Sequence, residues 1–410
     1  MTAMRTAWMS LAVACGVPAA APGPTPSGGL PTASEPVQVV PARGLPVAVM
    51  DANNNLDIIE HAGHVYLAFR TAPSHFASAE TELHVLRSTD EQTWTHELTL
   101  REGTDLREPR LLALGDRLLL YYAVLGTSSI DFEPAGAKVA VRGVDGRWAA
   151  AVPAFDGDFI PWRTRWLDGR PMIIGYNGGA GVYDPSGDTA DPDQLPQLAV
   201  RWLTTTDGTD GASFVAGSDV VHLGGGSETD LALTDDGRVV AVMRNEAGDA
   251  DGFGSKVCTA EAGAWGHWTC AHDPKKYDSP LVFAHGGRIW LIGRRNLTDD
   301  GHYDLGMDDR SHAEQALAYQ AAYWNERKRC SLWEVDPDTR AVSFVLDLAG
   351  RGDTCFASIL PLSEDRYAVY NYSSPIDADA DGDGDDPVWL QGQLGETHIY
   401  RQVLTFPASD

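Results

Sequence analysis

The sequence has little positive charge. Its 410 residues include 58 acidic and 31 basic residues, which gives a formal net charge of −27, and only five of the basic residues are lysines. Nucleic acids and anionic membrane surfaces bind clustered Lys and Arg side chains, so this balance argues against both as partners. The charge is typical of a surface that repels its neighbours. We expect a monomer.

Long apolar runs and close cysteine pairs are also lacking. No run of about 18 apolar residues occurs, so the sequence predicts no membrane-spanning helix. None of the five cysteines has the Cys-x-x-Cys spacing that is typical of a structural zinc site. We predict neither a metal site nor a cofactor.

The first residues predict export. Arg5 precedes the short apolar run Ala7–Ala14, which ends in small residues at Cys15. This pattern resembles a bacterial lipoprotein signal, although the usual leucine three places before the cysteine is missing. We predict a signal peptide at 1–14, a lipid anchor on Cys15 as the only membrane attachment, and a flexible Pro-, Ala-, Gly- and Ser-rich tether at 15–35. The alternative is an ordinary secretory signal that contains a cysteine.

If Cys15 carries lipid, the remaining cysteines are even in number, and an exported chain of this kind is expected to form disulfides. The pairing we predict joins Cys258 to Cys270 across two short strands, and Cys330 to Cys355 between consecutive repeats. The alternative is a set of unpaired thiols in a reducing compartment.

A repeat predicts the fold class. The chain is rich in turns and tryptophan, with 42 Gly and 12 Trp, and has little helical periodicity. Pairs of apolar strands around a tight turn recur roughly every 50 residues, which is typical of a propeller with one blade per unit. We predict an all-β, six-bladed β-propeller over residues 36–410, closed by Val37–Val40. The strand pairs are Leu56–Arg70, Arg107–Tyr122, Arg163–Asn177, Asp230–Glu246, Ser279–Asn296 and Phe356–Tyr372.

Two insertions interrupt the repeat. Ser311–Arg329 has apolar residues at helical spacing, which predicts a short helical insertion that packs on one face of the propeller. Asp377–Asp386 has alternating carboxylates like a calcium loop, but Val388 occupies the position of the expected bidentate glutamate. We favour a solvated acidic loop over a calcium site.

Several motifs resemble those of the sialidase-like, Asp-box propeller superfamily. Ser88–Trp94 is similar to an Asp box shortened by one residue, and Asp boxes stabilise outer hairpins without taking part in chemistry. Further similar phrases are Asp105–Arg110, Glu228–Asp230, Gly293–Arg295 and Tyr370–Ser374. The resemblance covers about residues 45–406 and implies a carbohydrate-binding pocket at the centre of the propeller.

Propeller geometry predicts which residues surround that pocket. The first inner strand of each blade starts at the central mouth and the second returns to it, and these positions are polar in every blade. Converging arginines can bind a carboxylate through two hydrogen bonds each. The residues expected to bind substrate are Asn55, Asp57, Arg70, His75, Arg107, Arg163, Arg165, Tyr176, Asp230, Arg244, Arg294, Arg295 and Tyr303. Asp278 and Asp353 also lie at strand starts.

The resemblance also implies catalytic roles. Arg70, Arg244 and either Arg294 or Arg295 would bind an anionic group of the sugar. Tyr372 would be the nucleophile, paired with Glu228 or Glu246, because sialidases use tyrosine at an anomeric carbon that bears a carboxylate. Either Asp105 or Glu108 would be the acid/base.

Departures from the family leave other possibilities open. The first inner strand begins with Asn53–Asn55 where sialidases carry an arginine, which suggests a different sugar or reaction. Arg107–Pro109 resembles a motif of five-bladed furanosidases, and Arg107 with Glu108 could equally form a structural ion pair between blades. We predict an exported glycoside hydrolase acting on an acidic carbohydrate. The alternatives are a non-catalytic glycan-binding lipoprotein and a polysaccharide lyase that would use His75 and a tyrosine.

Overall fold

The computed structural model describes residues 29–129, 131–155, 157–179, 193–205, 214–215, 220–376 and 386–408. The expected signal peptide, the anchor cysteine Cys15 and all but the last residue of the acidic loop at 377–386 lie outside these ranges.

Six antiparallel sheets form the blades of a β-propeller, which confirms the all-β, six-bladed prediction. Blade 1 contains β3 (Ala52–His61), β4 (His64–Ala72), β5 (Glu82–Ser88) and β6 (Thr95–Leu100). Blade 2 contains β7 (Asp105–Leu114), β8 (Arg117–Leu125), β9 (Pro134–Arg142) and β10 (Val152–Phe155). Blade 3 contains β11 (Ile160–Leu167), β12 (Arg170–Asn177), β13 (Leu198–Thr205), β14 (Phe214–Val215) and β15 (Val220–Gly224).

The remaining blades follow in chain order. Blade 4 contains β16 (Thr229–Leu233), β17 (Val239–Asp249), β18 (Gly252–Ala260) and β19 (Thr269–Asp273). Blade 5 contains β20 (Leu281–His285), β21 (Arg288–Asn296), β22 (Lys328–Val335) and β23 (Val342–Leu348). Blade 6 contains β24 (Ser358–Ser363), β25 (Arg366–Ser373) and β26 (His398–Thr405).

The first and last described strands close the ring in blade 6. β1 (Thr32–Ala33) and β2 (Val37–Val40) both pair antiparallel with β26. The predicted closure by Val37–Val40 is therefore confirmed. β1 lies in the last residues of the segment that we expected to be the tether.

The apolar core lies between blades. In β8, Leu118, Leu120 and Tyr122 belong to a buried cluster shared with blade 1, whereas Leu119 and Tyr121 pack towards blade 3. Successive side chains of a strand point to opposite faces of the sheet, and both faces of a blade are covered by neighbouring blades. This explains why the inner strands read as continuous apolar runs and do not alternate with polar residues.

In the part of the chain that the structure describes, two short helices lie outside the blades. α1 (His312–Trp324) begins after Ser311, whose side chain forms a capping box with Glu314. The predicted helical insertion is confirmed, but it ends early because Lys328 already begins β22. α2 (Trp389–Leu394) follows the acidic loop. Within the described ranges, neither helix is long and apolar enough to cross a membrane.

Both predicted disulfides are present. Cys258–Cys270 joins β18 to β19 within blade 4, and Cys330–Cys355 joins blade 5 to the segment that leads into blade 6. Such bonds persist in oxidising compartments, so they indicate an exported location.

Candidate functional site

The backbone is strained where four inner strands start at the central mouth. Asn55, Glu108, Ser279 and Cys355 all have positive φ values, of 41°, 52°, 51° and 78°. At Asn55 and Glu108 the strand register also shifts, as in a β-bulge. Bulges and strained non-glycine residues concentrate at functional sites, where they redirect side chains. Local backbone geometry therefore indicates the same mouth that the strand pattern predicts.

Tyr372 is paired with Asp353 at this mouth. The Tyr372 hydroxyl donates to Asp353 Oδ1 at 3.0 Å, and His75 Nδ1 lies 2.7 Å from Asp353 Oδ2. Trp389 Nε1 donates to Oδ1 as well, at 3.2 Å. The rings of His75 and Tyr372 are 6.4 Å apart. The partner of Tyr372 is thus Asp353, whereas the resemblance implied Glu228 or Glu246.

Asp353 is held as an anion despite being buried. Burial acts to raise its pKa, but the charge and hydrogen bond of His75 and the charge of Arg294 outweigh burial, and the pKa is lowered. The pKa of Tyr372 is raised well above its usual value by burial and by the negative charge of Asp353. Tyr372 is therefore a protonated phenol hydrogen-bonded to a carboxylate.

Glu228 is a buried carboxyl group of the mouth with a raised pKa. Its side chain lies 2.7 Å from Arg244 Nη1 and accepts the Ser279 backbone N–H at 2.7 Å. Burial raises the pKa of Glu228 to about 7, and the charges of Asp278 and Glu108 act in the same direction against the opposing charge of Arg244. A carboxylic acid with a pKa near neutrality can donate a proton in one step and accept it in the next.

Asp278 forms the centre of a second cluster. Asp278 Oδ2 is 2.6 Å from Arg294 Nη1 and accepts the Tyr323 hydroxyl at 2.9 Å. Lys276 lies 3.4 Å from the same oxygen and also pairs with Glu246. Burial acts to raise the pKa of Asp278, but the charges of Lys276 and Arg294 overcome it and the pKa is lowered. Glu246 therefore forms an ion pair with a buried lysine.

Glu108 lies on another side of the mouth. Both of its carboxylate oxygens accept the Asn55 amide at 3.0 Å. Its negative charge acts to raise the pKa of Glu228 and of the buried Tyr176. The charge of Glu228 acts to raise the pKa of Tyr176 and of Tyr372. These residues are therefore close enough for their charges to interact.

Arg70 and Asp105 lie beneath the mouth. Their side chains are fully buried and form an ion pair at 2.8 Å, so neither can touch a ligand in this arrangement. Arg107 also pairs with Asp105 and donates through Nη2 to the backbone carbonyl of His75 at 2.7 Å. These residues support the loop that carries His75.

A further group of expected ligand-binding residues ties blades together. Arg163 donates to the Pro280 carbonyl at 3.0 Å, and Arg165 pairs with Asp230. Asp57 accepts the Leu111 N–H at 2.8 Å and the Ser358 hydroxyl at 2.7 Å, each from a different blade. Asp57 and Asp230 therefore bind side chains or backbone groups of other blades.

Two expected residues lie away from the mouth. Arg295 pairs with Asp347, two strands away in blade 5, at 3.0 Å, because consecutive strand residues alternate between faces and Arg294 takes the inward position. Tyr303 is buried beside α1, with its hydroxyl donating to Gln320 at 2.9 Å and Lys276 Nζ 4.6 Å from its ring centroid. Tyr303 is therefore part of the wall behind the Asp278 cluster.

Residues from the connections between strands also contact the mouth acids, and the strand pattern does not predict them. Lys276, Tyr323 and Trp389 reach the mouth acids from the loop before β20, from α1 and from α2. One available signal was the adjacent pair Lys275–Lys276 in a chain with only five lysines. Asp278 and Asp353 were expected at strand starts, but without a role.

No group of His, Cys, Asp or Glu side chains in the described ranges is arranged to hold a metal ion. Asp386, the last residue of the acidic loop and the only one of them within those ranges, pairs with Arg329 and lies 3.4 Å from Arg351.

Comparisons with known proteins agree with the fold. No protein-family model and no curated protein matches the chain. Among solved structures, a protein of unknown function from Dyadobacter fermentans is 16% identical, with 92% of this chain and 99% of that chain covered and a TM-score of 0.59.

Two sialidase structures also match. Trypanosoma rangeli sialidase in complex with sialic acid is 13% identical, with 86% of this chain and 54% of that chain covered and a TM-score of 0.54. Phage phi92 endosialidase is 11% identical, with 88% and 69% covered and a TM-score of 0.54. The chain therefore spans about half the length of the trypanosomal enzyme. Identities this low show the fold alone, and the sialidase-like six-bladed propeller is confirmed at that level.

Proposed function

We propose that the protein is an exported glycoside hydrolase that acts on an acidic carbohydrate in the propeller mouth. The observation that carries the proposal is a tyrosine hydroxyl, that of Tyr372, bonded to a buried carboxylate at 3.0 Å in the mouth that also holds Glu228, a buried acid 2.7 Å from Arg244 whose pKa is raised to about 7. Paired groups with separated pKa values are the usual basis of acid/base assignments at such sites.

The chemistry assigns one role to each of two residues. The Tyr372 oxygen attacks the anomeric carbon and passes its proton to a base within hydrogen-bonding reach, while Glu228 gives its proton to the departing glycosidic oxygen. In the second step Glu228, now a carboxylate, takes a proton from the attacking water, and Tyr372 leaves and recovers its own proton. No further reactant is needed.

An acidic sugar fits the charge of the mouth. Arg244 and Arg294 both reach it, and arginine binds carboxylates through planar pairs of hydrogen bonds. When Glu228 is protonated, the mouth loses one negative charge, which favours entry of an anionic ring.

Product analysis tests the proposal. Wild type, Glu228→Gln and Tyr372→Phe would be screened against aryl glycosides and acidic polysaccharides, with release of aglycone or new reducing ends as the readout. Tyr277→Phe is a matched control, because Tyr277 is another buried tyrosine that donates to an aspartate, Asp273, at 2.8 Å. We expect turnover by wild type and the control, and a loss of roughly 10²- to 10⁴-fold in the other two. An unsaturated product would mark a lyase and overturn hydrolysis.

A glycan-binding protein without turnover is the second candidate. The observation that favours it is that Glu246 and Asp278 are held by Lys276 and Arg294, while Tyr372 is paired with Asp353. Glycan-array binding by wild type together with no product from any substrate would support this candidate.

We also propose attachment of the protein to a membrane through lipid on Cys15. The disulfides support export but do not bear on the anchor. Fractionation of cells expressing wild type and Cys15→Ser tests it: the variant should leave the membrane fraction, and equal retention of both would exclude a lipid anchor at this residue.

A further inference from the structure

One buried carboxylate receives three side-chain donors at the mouth. Asp353 has no exposed surface, and its two oxygens are used differently. Oδ1 accepts the hydroxyl of Tyr372 and the indole N–H of Trp389, whereas Oδ2 faces His75 Nδ1. The three donors come from blade 6, from α2 and from the loop after β4, so only the folded ring brings them together.

His75 is fixed on both sides of its backbone. Its N–H donates to the Gln393 carbonyl at 3.2 Å, and its own carbonyl accepts from Arg107 at 2.7 Å. Its imidazole remains 17% exposed. A fixed backbone and a hydrogen bond through Nδ1 hold the ring against Asp353, as a carboxylate-oriented histidine requires.

Three other acids of the mouth bind other partners, and Glu108 accepts the Asn55 amide. Glu228 is bonded to Arg244 and to the Ser279 N–H, Glu246 to Lys276, and Asp278 to Arg294 and Tyr323. Within the described ranges, the carboxylate that accepts the Tyr372 hydroxyl is Asp353. A proton leaving Tyr372 therefore has a short path to one acceptor.

We propose that Asp353 is the base that takes the Tyr372 proton during turnover, and that His75 is the positioning residue that holds Asp353 for this step. The inference rests on the proposed function. As the Tyr372 oxygen bonds to the anomeric carbon, its O–H bond breaks and the proton moves to Asp353 Oδ1. The glycosidic C–O bond breaks, and the leaving oxygen takes the proton of Glu228. When water releases the sugar, the proton on Asp353 returns to Tyr372.

Histidine variants separate positioning from direct participation. His75→Asn keeps an N–H near the place of Nδ1 that can donate to Asp353, whereas His75→Leu removes it. We expect His75→Asn to keep kcat close to wild type with an unchanged pH profile, and His75→Leu to lose up to about 10²-fold in kcat with little change in KM. Equal damage by both variants, or loss of a pH limb in His75→Asn, would show that His75 itself reacts or binds substrate, and would overturn the positioning role.

The Asp353 variant tests the base. Asp353→Asn keeps the shape of the side chain but removes the basic carboxylate, and we expect a loss of roughly 10²- to 10⁴-fold in kcat. Asp273→Asn is the matched control, because it makes the same change beside the buried Tyr277 away from the mouth. Activity of Asp353→Asn equal to that of the control would overturn the assignment. Circular dichroism of every variant confirms folding.

A readout that needs no turnover keeps the two proposals apart. In protein with ¹³Cζ-labelled tyrosine, the Tyr372 resonance is identified by its loss in Tyr372→Phe. We expect the Asp353→Asn variant to ionise Tyr372 at lower pH than wild type does, because the negative charge beside the phenol is gone. An unchanged titration overturns the Tyr372–Asp353 pair itself. A shifted titration in a protein that hydrolyses no substrate means that the pair exists and that the proposed function has failed.

Discussion

Arg70 and Asp105 form an ion pair without exposed surface, 2.8 Å apart, beneath the mouth of the propeller. Thr81 also donates to Asp105 at 2.7 Å, and Arg70 donates to the Phe76 carbonyl at 2.9 Å. The pair thus anchors the loop that carries His75 and connects blade 1 to blade 2.

Removing one member of this pair should lower the stability of the fold. Asp105→Ala leaves the Arg70 guanidinium buried without its counter-charge, and we expect a loss of about 3 to 5 kcal/mol in the free energy of unfolding. Asp338→Ala is the control, since Asp338 is an exposed partner of Arg238 at 2.8 Å and should cost no more than about 1 kcal/mol. Urea unfolding measures both. Similar costs for the two variants would mean that the buried pair contributes no more than a surface one.

Glu228 should make stability depend on pH. Its pKa in the folded chain is about 7, above its ordinary value of 4.5, so its contribution to stability is present below pH 4.5 and is lost as the pH rises to about 7. The free energy of unfolding should therefore fall more between these pH values in wild type than in Glu228→Gln. Glu60→Gln, at an exposed position, serves as control and should follow wild type.

The Asp-box hairpin should depend on one carboxylate. Asp90 Oδ1 accepts the N–H groups of Gln92 and Thr93 at 2.9 and 2.7 Å, and these bonds, with that of Ser88, lower its pKa to about 2. Its stabilising effect is present above pH 3.8 and is lost as the pH falls towards 2.

Amide hydrogen exchange at neutral pH tests this. Asp90→Ala should speed exchange at Gln92 and Thr93, because both amides lose their acceptor, and should leave the mouth unchanged. Asp116→Ala, at the exposed turn of another hairpin, is the control. Protection of Gln92 and Thr93 that survives the loss of Asp90 would exclude this role.

Each disulfide should stabilise the fold by limiting the unfolded chain. The bonds close loops of 12 and 25 residues, for which chain entropy predicts about 3 kcal/mol each, slightly more for Cys330–Cys355. Single Cys→Ser variants of each pair, unfolded in denaturant, give the values. Peptide mapping without reduction checks the pairing, and any crossed pairing would contradict the structure.

The fold was largely predictable because its signals are local. Each inner hairpin is a pair of apolar strands around a Gly or Asp turn, and six such units at a regular period have few alternatives to a propeller. The cysteine pairs were equally accessible, since Cys258 and Cys270 face each other across neighbouring strands. Alternation along β25 places Tyr370 and Tyr372 on the same face, because they are two residues apart, so the strand pattern did not say which of them reaches the mouth. In the structure Tyr370 donates to Glu91, whereas Tyr372 donates to Asp353.

The site was predictable only as a ring of polar residues. Strand starts and ends identify which residues surround the mouth, but they do not say which of them pair. Arg70 was expected to bind substrate and is buried against Asp105, while Arg295 and Arg294 differ by one position and face opposite sides.

By itself, the sequence determined six hairpins, their order, the closing strands and the cysteine partners, because turn residues and the period of two act over short distances. Only the tertiary structure decided that Tyr372 meets Asp353 and that Asp353 meets His75, which is 278 positions away. A hydrogen bond requires atoms within about 3 Å. That distance depends on the tilt of whole blades, on ring closure and on insertions such as α2, none of which leaves a local pattern in the sequence.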